Sequence, residues 1–226
     1  MNERENISGR IREALKAPAH QPASHDPAPT PATASTPRQW LPKVSESVDE
    51  QLALFAQNAA ALKANFQMFH MAEDLRQALV RLSEAEGWQR VAGHSGDLTN
   101  VLCPALNLPL LRTDQAYDFH ELEQCDAGIS ECDALIAQTG TVLVTSRSAG
   151  GRALSVLPPH HVVLARRNQL VADLPAAFEL LNRKYACNYP SMISFITGPS
   201  RTGDIERILV LGAHGPKRLT ILCLQD

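Results

Sequence analysis

Residues 49–92 read DEQLALFAQNAAALKANFQMFHMAEDLRQALVRLSEAEGWQRVA, and the apolar period switches repeatedly along them. In Asp49–Lys63, Leu52, Phe55, Ala59 and Leu62 fall on one helical face, with Ser45 or Ser47 placed to cap it. Asn65–His70 is short and aromatic-rich, suited to a strand. Glu73–Glu86 returns to the helical period through Leu75, Leu79 and Leu82, and Gly87 ends it. Trp88–Ala92 is the next strand. Helices alternating with apolar strands predict an α/β fold, a mainly parallel sheet with helices on both faces.

Outward from this stretch the pattern continues. Residues 95–120 are weakly patterned and hold a short helix around Leu98–Leu106. Ala134–Ala137 and Thr141–Thr145 read as two strands joined by a tight turn at Gln138-Thr139-Gly140. His161–Ala165 is β-branched and strand-like, Leu174–Leu181 helical, Met192–Ile196 a strand, Ile205–Leu211 a helical or turn segment, and Leu219–Leu224 a last strand. Toward the N-terminus, Ile7, Ile11 and Leu15 give residues 1–16 the stripe of an amphipathic helix, either a loose end or a docking element for a partner. Residues 17–47 are crowded with Pro, Ala, Ser and Thr and read as a flexible linker. Residues 48–226 then form the α/β domain.

The chain has 226 residues with 21 Lys and Arg against 24 Asp and Glu, a formal charge of −3, and no basic stripe. A nucleic-acid partner, which needs concentrated positive charge against phosphates, is excluded on this reading. No apolar run approaches the ~20 residues of a transmembrane helix, and the polar start at Met1–Arg10 has no secretory character, so a cytoplasmic protein is expected. Five cysteines, without a C-x-x-C pair, offer neither a disulfide framework nor an iron–sulfur or zinc ligand set. They are expected to be mostly buried thiols, and this chain is expected to carry no metal or other cofactor of its own.

Three turns can carry chemistry. Thr197-Gly198-Pro199-Ser200-Arg201-Thr202-Gly203-Asp204-Ile205-Glu206 follows a strand and precedes the expected helical segment. Free backbone N–H groups there would suit an anion, with Arg201 as a bidentate grip. The same residues also fit a plain helix start, capped by Ser200 or Thr202, with Asp204 on the dipole and Arg201 paired to Glu206. Thr139, Gly140 and Thr141 offer hydroxyls and close backbone approach, or simply a hairpin turn. His214, in Gly212-Ala213-His214-Gly215-Pro216, is a candidate acid, base or donor, or a turn histidine. Glu206 is a second candidate for proton transfer. Arg147 and Arg152 lie in a donor-rich loop, and His160-His161 lack the spacing of metal ligands.

Taken in order, Ala134-Leu135-Ile136-Ala137-Gln138-Thr139-Gly140-Thr141, Gly151-Arg152 with Leu157-Pro158, Thr197-Gly198-Pro199-Ser200-Arg201-Thr202 with Asp204-Ile205-Glu206, and His214-Gly215-Pro216 resemble the lactate utilization protein C (LutC/YkgG) family and its LUD domain. The resemblance spans about residues 48–226. Gln138 stands where the family motif usually has an acid. The resemblance implies a Rossmann-like fold of the NagB/RpiA/CoA transferase-like group, that is, kin to glucosamine-phosphate isomerase, ribose-phosphate isomerase and CoA transferases. It further implies a share in oxidising L-lactate to pyruvate beside iron–sulfur partner proteins. On that reading a small anionic ligand is held by Thr139, Gly140, Thr141, Arg152, Gly198, Ser200, Arg201, Thr202, Asp204 and His214. The alternative is a free-standing isomerase or acyl/CoA-transfer enzyme using His214 or Glu206.

Overall fold

Val48–Ala61 (α1) buries Phe55 and Ala59 on its apolar stripe and carries Asp49 and Glu50 in its first turn, where acids suit the helix dipole. Ala72–Glu86 (α2) buries Leu75 and Leu79 and stops at Gly87, whose φ of 66° lets Trp88 N–H return to the Ser83 carbonyl. The computed structural model describes residues 42–205, 208–211 and 214–225, with Arg10 and Glu13. All of the helix expected over 1–16 except Arg10 and Glu13, and most of the expected linker, therefore lie outside the described residues. Residues 40–226 form one compact unit.

The strands of that unit, in chain order, are β1 Asn65–Phe69, β2 Val91–Gly93, β3 Leu110–Arg112, β4 Ala127–Glu131, β5 Ala134–Ile136, β6 Thr141–Thr145, β7 His160–Arg166, β8 Leu170–Val171, β9 Ile193–Ile196, β10 Arg201–Ile205, β11 Ile208–Leu211 and β12 Arg218–Leu224. Thr99–Leu102 (α3) with a 3-10 turn at Cys103–Leu106, Phe119–Glu123 (α4), a 3-10 turn at Arg167–Gln169 and Leu174–Tyr185 (α5) are the other helical segments of that unit among the described residues. Six strands make a wholly parallel sheet in the order β1-β12-β7-β4-β2-β3. The α/β class with a mainly parallel sheet is thus what the chain adopts.

Strand alternation sorts the core into layers. Val162, Leu164, Leu222 and Leu224 point to one face and pack with Leu75 and Leu79 of α2. Their neighbours Val163, Ala165, Ile221 and Cys223 point to the other and meet Phe55 and Ala59 of α1 with Leu135, Val142 and Val144. Those last three belong to a second sheet, ordered β8-β5-β6-β9, in which β5–β6 and β6–β9 are antiparallel. Its opposite face, Ala134, Ile136 and Leu143, receives Ala177, Leu181 and Tyr185 of α5. Asp173 caps α5 by accepting from Ala176 N–H at 2.8 Å.

Several expectations are corrected. Ile205–Leu211 is neither helix nor turn: β10 and β11 are an antiparallel hairpin with Arg201 opposite Leu211 and Ile205 opposite Ile208. Ile208-Leu209-Val210-Leu211 has no polar helical face and suits a strand instead. No helix therefore starts at Ser200–Glu206, and the dipole expected there does not exist. The strand before it, β9, lies in the second sheet, antiparallel to β6, and not in the parallel one. Expected strand Trp88–Ala92 begins only at Val91, because Trp88 N–H closes the cap of α2 and Gln89 and Arg90 N–H groups donate to Asp126 Oδ2 at 2.7 and 2.9 Å. Strands β3, β4 and β8 had no counterpart in the sequence reading.

Candidate functional site

Three loops meet at the amino ends of β7 and β12. Residues 154–159 lead into β7, 197–200 leave β9, and 214–217 lead into β12. Ser200 N–H donates to the Pro216 carbonyl at 2.9 Å, and Lys217 N–H donates to the Pro159 carbonyl at 2.8 Å, which ties the three together. Glycines set the spacing: a Cβ on Gly215 would stand 3.2 Å from Ser200 Cβ, and one on Gly128 of β4 would stand 2.5 Å from the Leu154 carbonyl oxygen. The loop before β7 rests directly on the sheet because β4 has no side chain there.

Between these loops lies a cavity of about 220 Å³. Its polar lining includes Ser155, His161, Ser194, Ser200 and His214, and its walls include Val156, Phe195, Ile196 and Leu219. His161 is fully buried and shares a hydrogen bond of 2.8 Å with Ser130 Oγ through Nε2. Its Nδ1 has no partner, and neither does the buried Oγ of Ser155. Two unpaired buried polar atoms in one cavity are costly unless something bonds them, at about 1–3 kcal/mol each. Burial, with the adjacent His160 adding to it, pulls the His161 imidazole down to about 3, so it is neutral at pH 7. If Ser130 donates to Nε2, Nδ1 carries the proton and is a donor; the other tautomer makes Nδ1 an acceptor.

The expected site residues divide. Gly198, Ser200 and His214 line the cavity. Thr141 is one bond away, its Oγ1 2.8 Å from Oγ1 of Thr197, a lining residue. Gly140 (φ 63°) is pressed against α1, where a Cβ would come within 2.7 Å of Ala59 N, and Asn58 Nδ2 donates to the Ala137 and Gln138 carbonyls at 2.9 Å. The turn Gln138–Gly140 is thereby the seat of α1, and its approach partner is protein backbone. Thr139 Oγ1 is buried without a partner. Arg201 turns away from the cavity and donates through Nη2 to the Leu62 carbonyl at 2.7 Å. Arg152 is exposed, Thr202 and Asp204 are on β10, and Glu206 lies outside the described residues. His160 and His161 project to opposite faces of β7, as successive strand residues must, so they cannot share a metal ion. No cluster of three or more potential metal ligands occurs among the described residues.

Sequence reasoning missed Ser130, Ser155 and, as a lining group, His161. Ser130 lies on the unrecognised β4, and only the register Gly128 opposite His161 brings the serine and the imidazole together.

The carboxyl ends of the parallel strands hold a different cleft, lined among others by His94, Glu131, Arg147, Lys184 and Tyr185. Most of its groups answer one another, although Asp133 Oδ2 beside it is buried without a partner. Glu131 Oε1 accepts from Leu98 and Thr99 N–H at 2.8 and 3.1 Å, and His94 Nε2 accepts from Glu131 N–H at 3.1 Å. Buried Asp133 accepts from Lys184 Nζ at 2.6 Å and Tyr185 Oη at 2.7 Å. Burial pushes the Asp133 carboxyl up, but bonds from Lys184, Ser148 and Tyr185 outweigh it and leave the group below its ordinary value. None of the expected ligand residues lines this cleft.

An α/β protein with a small, partly open site of hydroxyl and imidazole groups is the class these features define. The chain belongs to the LUD domain family, whose model matches residues 52–224. It is 27% identical over 207 residues to the lactate utilization protein C of Deinococcus radiodurans, a match covering 85% of this chain and 97% of that protein. It is 38% identical over 106 residues to the protein of the same name from Halalkalibacterium halodurans, there covering 46% of each. Against the latter the chain thus spans about half of its relative's length. The crystal structure of a DUF162 family protein from Deinococcus radiodurans has the same fold, with a TM-score of 0.62 at 23% identity over 80% of this chain and 99% of that one. No helix among the described residues is long and apolar enough to cross a membrane.

Proposed function

We propose that this chain serves lactate utilization in the cytoplasm, as a non-redox subunit working beside iron–sulfur partner proteins in the oxidation of L-lactate to pyruvate. We further propose that the cavity under the 154–159, 197–200 and 214–217 loops holds a small carboxylate. The name carried by the relatives supports the first part. The second rests on one observation: Ser155 and His161, whose Oγ and Nδ1 are buried without a partner, line the same cavity. With Ser200 and His214 at its edge, the cavity offers hydroxyl and imidazole groups to oxygen atoms, while Val156, Ile196 and Leu219 suit a short aliphatic remainder. Thr141 and Thr197 steady the 197–200 loop from behind. The five cysteines leave cluster chemistry to partners: Cys103, Cys125, Cys132 and Cys223 are buried and Cys187 alone is exposed. For the alternative, an isomerase or acyl-transfer enzyme, His214 is the expected proton carrier that lines the cavity, and no described lining residue is a carboxylate or thiol.

Co-expression with the iron–sulfur proteins of a lactate-oxidising system tests this reading. The chain should co-purify with them, and its thermal midpoint should rise with lactate or pyruvate in a Ser155-dependent way. Failure to associate, with normal growth on lactate after deletion of the gene, would refute the subunit assignment.

A further inference from the structure

A second hollow, of about 640 Å³, opens at the amino ends of β1, β7 and β12. Pro199 and Leu219 line both it and the first cavity, so one loop separates the two. The second is electrostatically different. Lys63, Arg201, Lys217 and Arg218 line it against a single carboxylate, Glu86, which is already ion-paired with Arg218. Arg201 donates one guanidinium nitrogen to the Leu62 carbonyl, leaving the rest of its fork for another acceptor. Lys63 reaches the hollow from a left-handed backbone, φ 68°, which an L residue adopts only at a cost.

A buried group points the same way. His160, at 4% exposure, lines this hollow; its Nε2 is 2.8 Å from Thr220 Oγ1, and its Nδ1 is buried with no partner. Trp88 closes on the ring edge-on at 5.4 Å, fixing its plane. In the tautomer in which Thr220 Oγ1 donates to Nε2, the proton sits on Nδ1, and that N–H has no acceptor from the protein.

We propose that this hollow is a phosphate site, in which Lys63, Arg201 and Lys217 surround the phosphate or pyrophosphate group of a small molecule and His160 Nδ1–H donates to one of its oxygens. Arg201 supplies the planar fork that matches two phosphate oxygens, and the lysines add compact charge. The anion would sit on the far side of the 199–201 segment from the carboxylate cavity, and its binding does not depend on that cavity.

Calorimetric titration of the full chain at low ionic strength, with inorganic phosphate and then pyrophosphate as probes, tests the proposal. Saturable binding is expected, tighter for pyrophosphate, because the added charge meets more of the cations. The double variant Lys63→Gln, Lys217→Gln removes two exposed side chains and should weaken binding by about tenfold. Arg183→Gln, an exposed cation on α5, and Ser155→Ala, in the carboxylate cavity, should leave it unchanged. Absence of saturable heat, an equal loss with Arg183→Gln, or abolition by Ser155→Ala would overturn the assignment, the last by placing the anion in the first cavity.

Discussion

Acid should weaken this fold well before its carboxylates titrate, and the size of the effect follows from two adjacent histidines. Burial holds His160 at about 4 and His161 at about 3, against 6.5 for the free side chain. Both are therefore neutral in the folded chain at pH 5, whereas in the unfolded chain both are almost fully protonated. The unfolded state binds more protons, so stability is complete above pH 6.5 and falls as the pH drops, until the folded groups titrate near 4 and 3. At pH 5 each histidine is 1.5 pH units below its unfolded value; at 1.36 kcal/mol per unit that is about 2 kcal/mol each and about 4 kcal/mol together. A loss of that size is a large part of the 5–15 kcal/mol that holds a typical domain together. Asp114 and Asp133 lie below the ordinary 3.8, so their contributions are lost only at lower pH, leaving the interval from 7 to 5 to the histidines. Urea unfolding at pH 7, 6 and 5 measures the fall, and His161→Gln should halve it whatever that variant does to stability at pH 7. Equal unfolding free energies at pH 7 and 5 in the parent chain, or an undiminished pH slope in His161→Gln, would refute the reasoning.

Other outcomes follow from single contacts. Gly128→Ala places a methyl 2.5 Å from the Leu154 carbonyl oxygen and should cost about 1–3 kcal/mol of stability by urea unfolding while weakening carboxylate binding through the displaced Ser155. Asn58→Ala removes both bonds that seat α1 on the Gln138–Gly140 turn and should lower the unfolding free energy by about 1–3 kcal/mol. Lys184→Met strands the buried Asp133 carboxylate with Tyr185. Because the lysine side chain is 51% exposed and water screens the pair, the loss at pH 7 should be about 1–3 kcal/mol, below that of a fully buried pair, and thermal or urea unfolding reads it.

Local pattern made the long elements legible. Leu52, Phe55 and Ala59 on α1, Leu75 and Leu79 on α2, and the two runs around Gln138-Thr139-Gly140 carry their periods in neighbouring residues, and each formed where its period placed it. β4 was invisible because Ala127-Gly128-Ile129-Ser130-Glu131 alternates for tertiary reasons: Gly128 admits the Leu154 loop and Ser130 meets His161 from the next strand. β10 and β11 were misread because a Ser-Arg-Thr-Gly-Asp run after a strand fits a helix start and a hairpin arm equally well. For the candidate site, Gly198, Ser200 and His214 were legible as donor-bearing turns. Their convergence on Ser155 and His161 depends on the packing of β7 against β12 and of three loops on each other, which no local window contains. Arg201 illustrates the reverse. Its chemistry was legible, but which side of the loop it faces was decided by the Leu62 carbonyl at the end of α1.

The most direct test of the carboxylate cavity is the His161 imidazole itself. Long-range ¹H–¹⁵N correlation of the ring nitrogens during titration with lactate and pyruvate should show a saturable shift at Nδ1, weakened in Ser155→Ala. Saturable binding of either acid that leaves the His161 ring nitrogens unmoved would contradict the account.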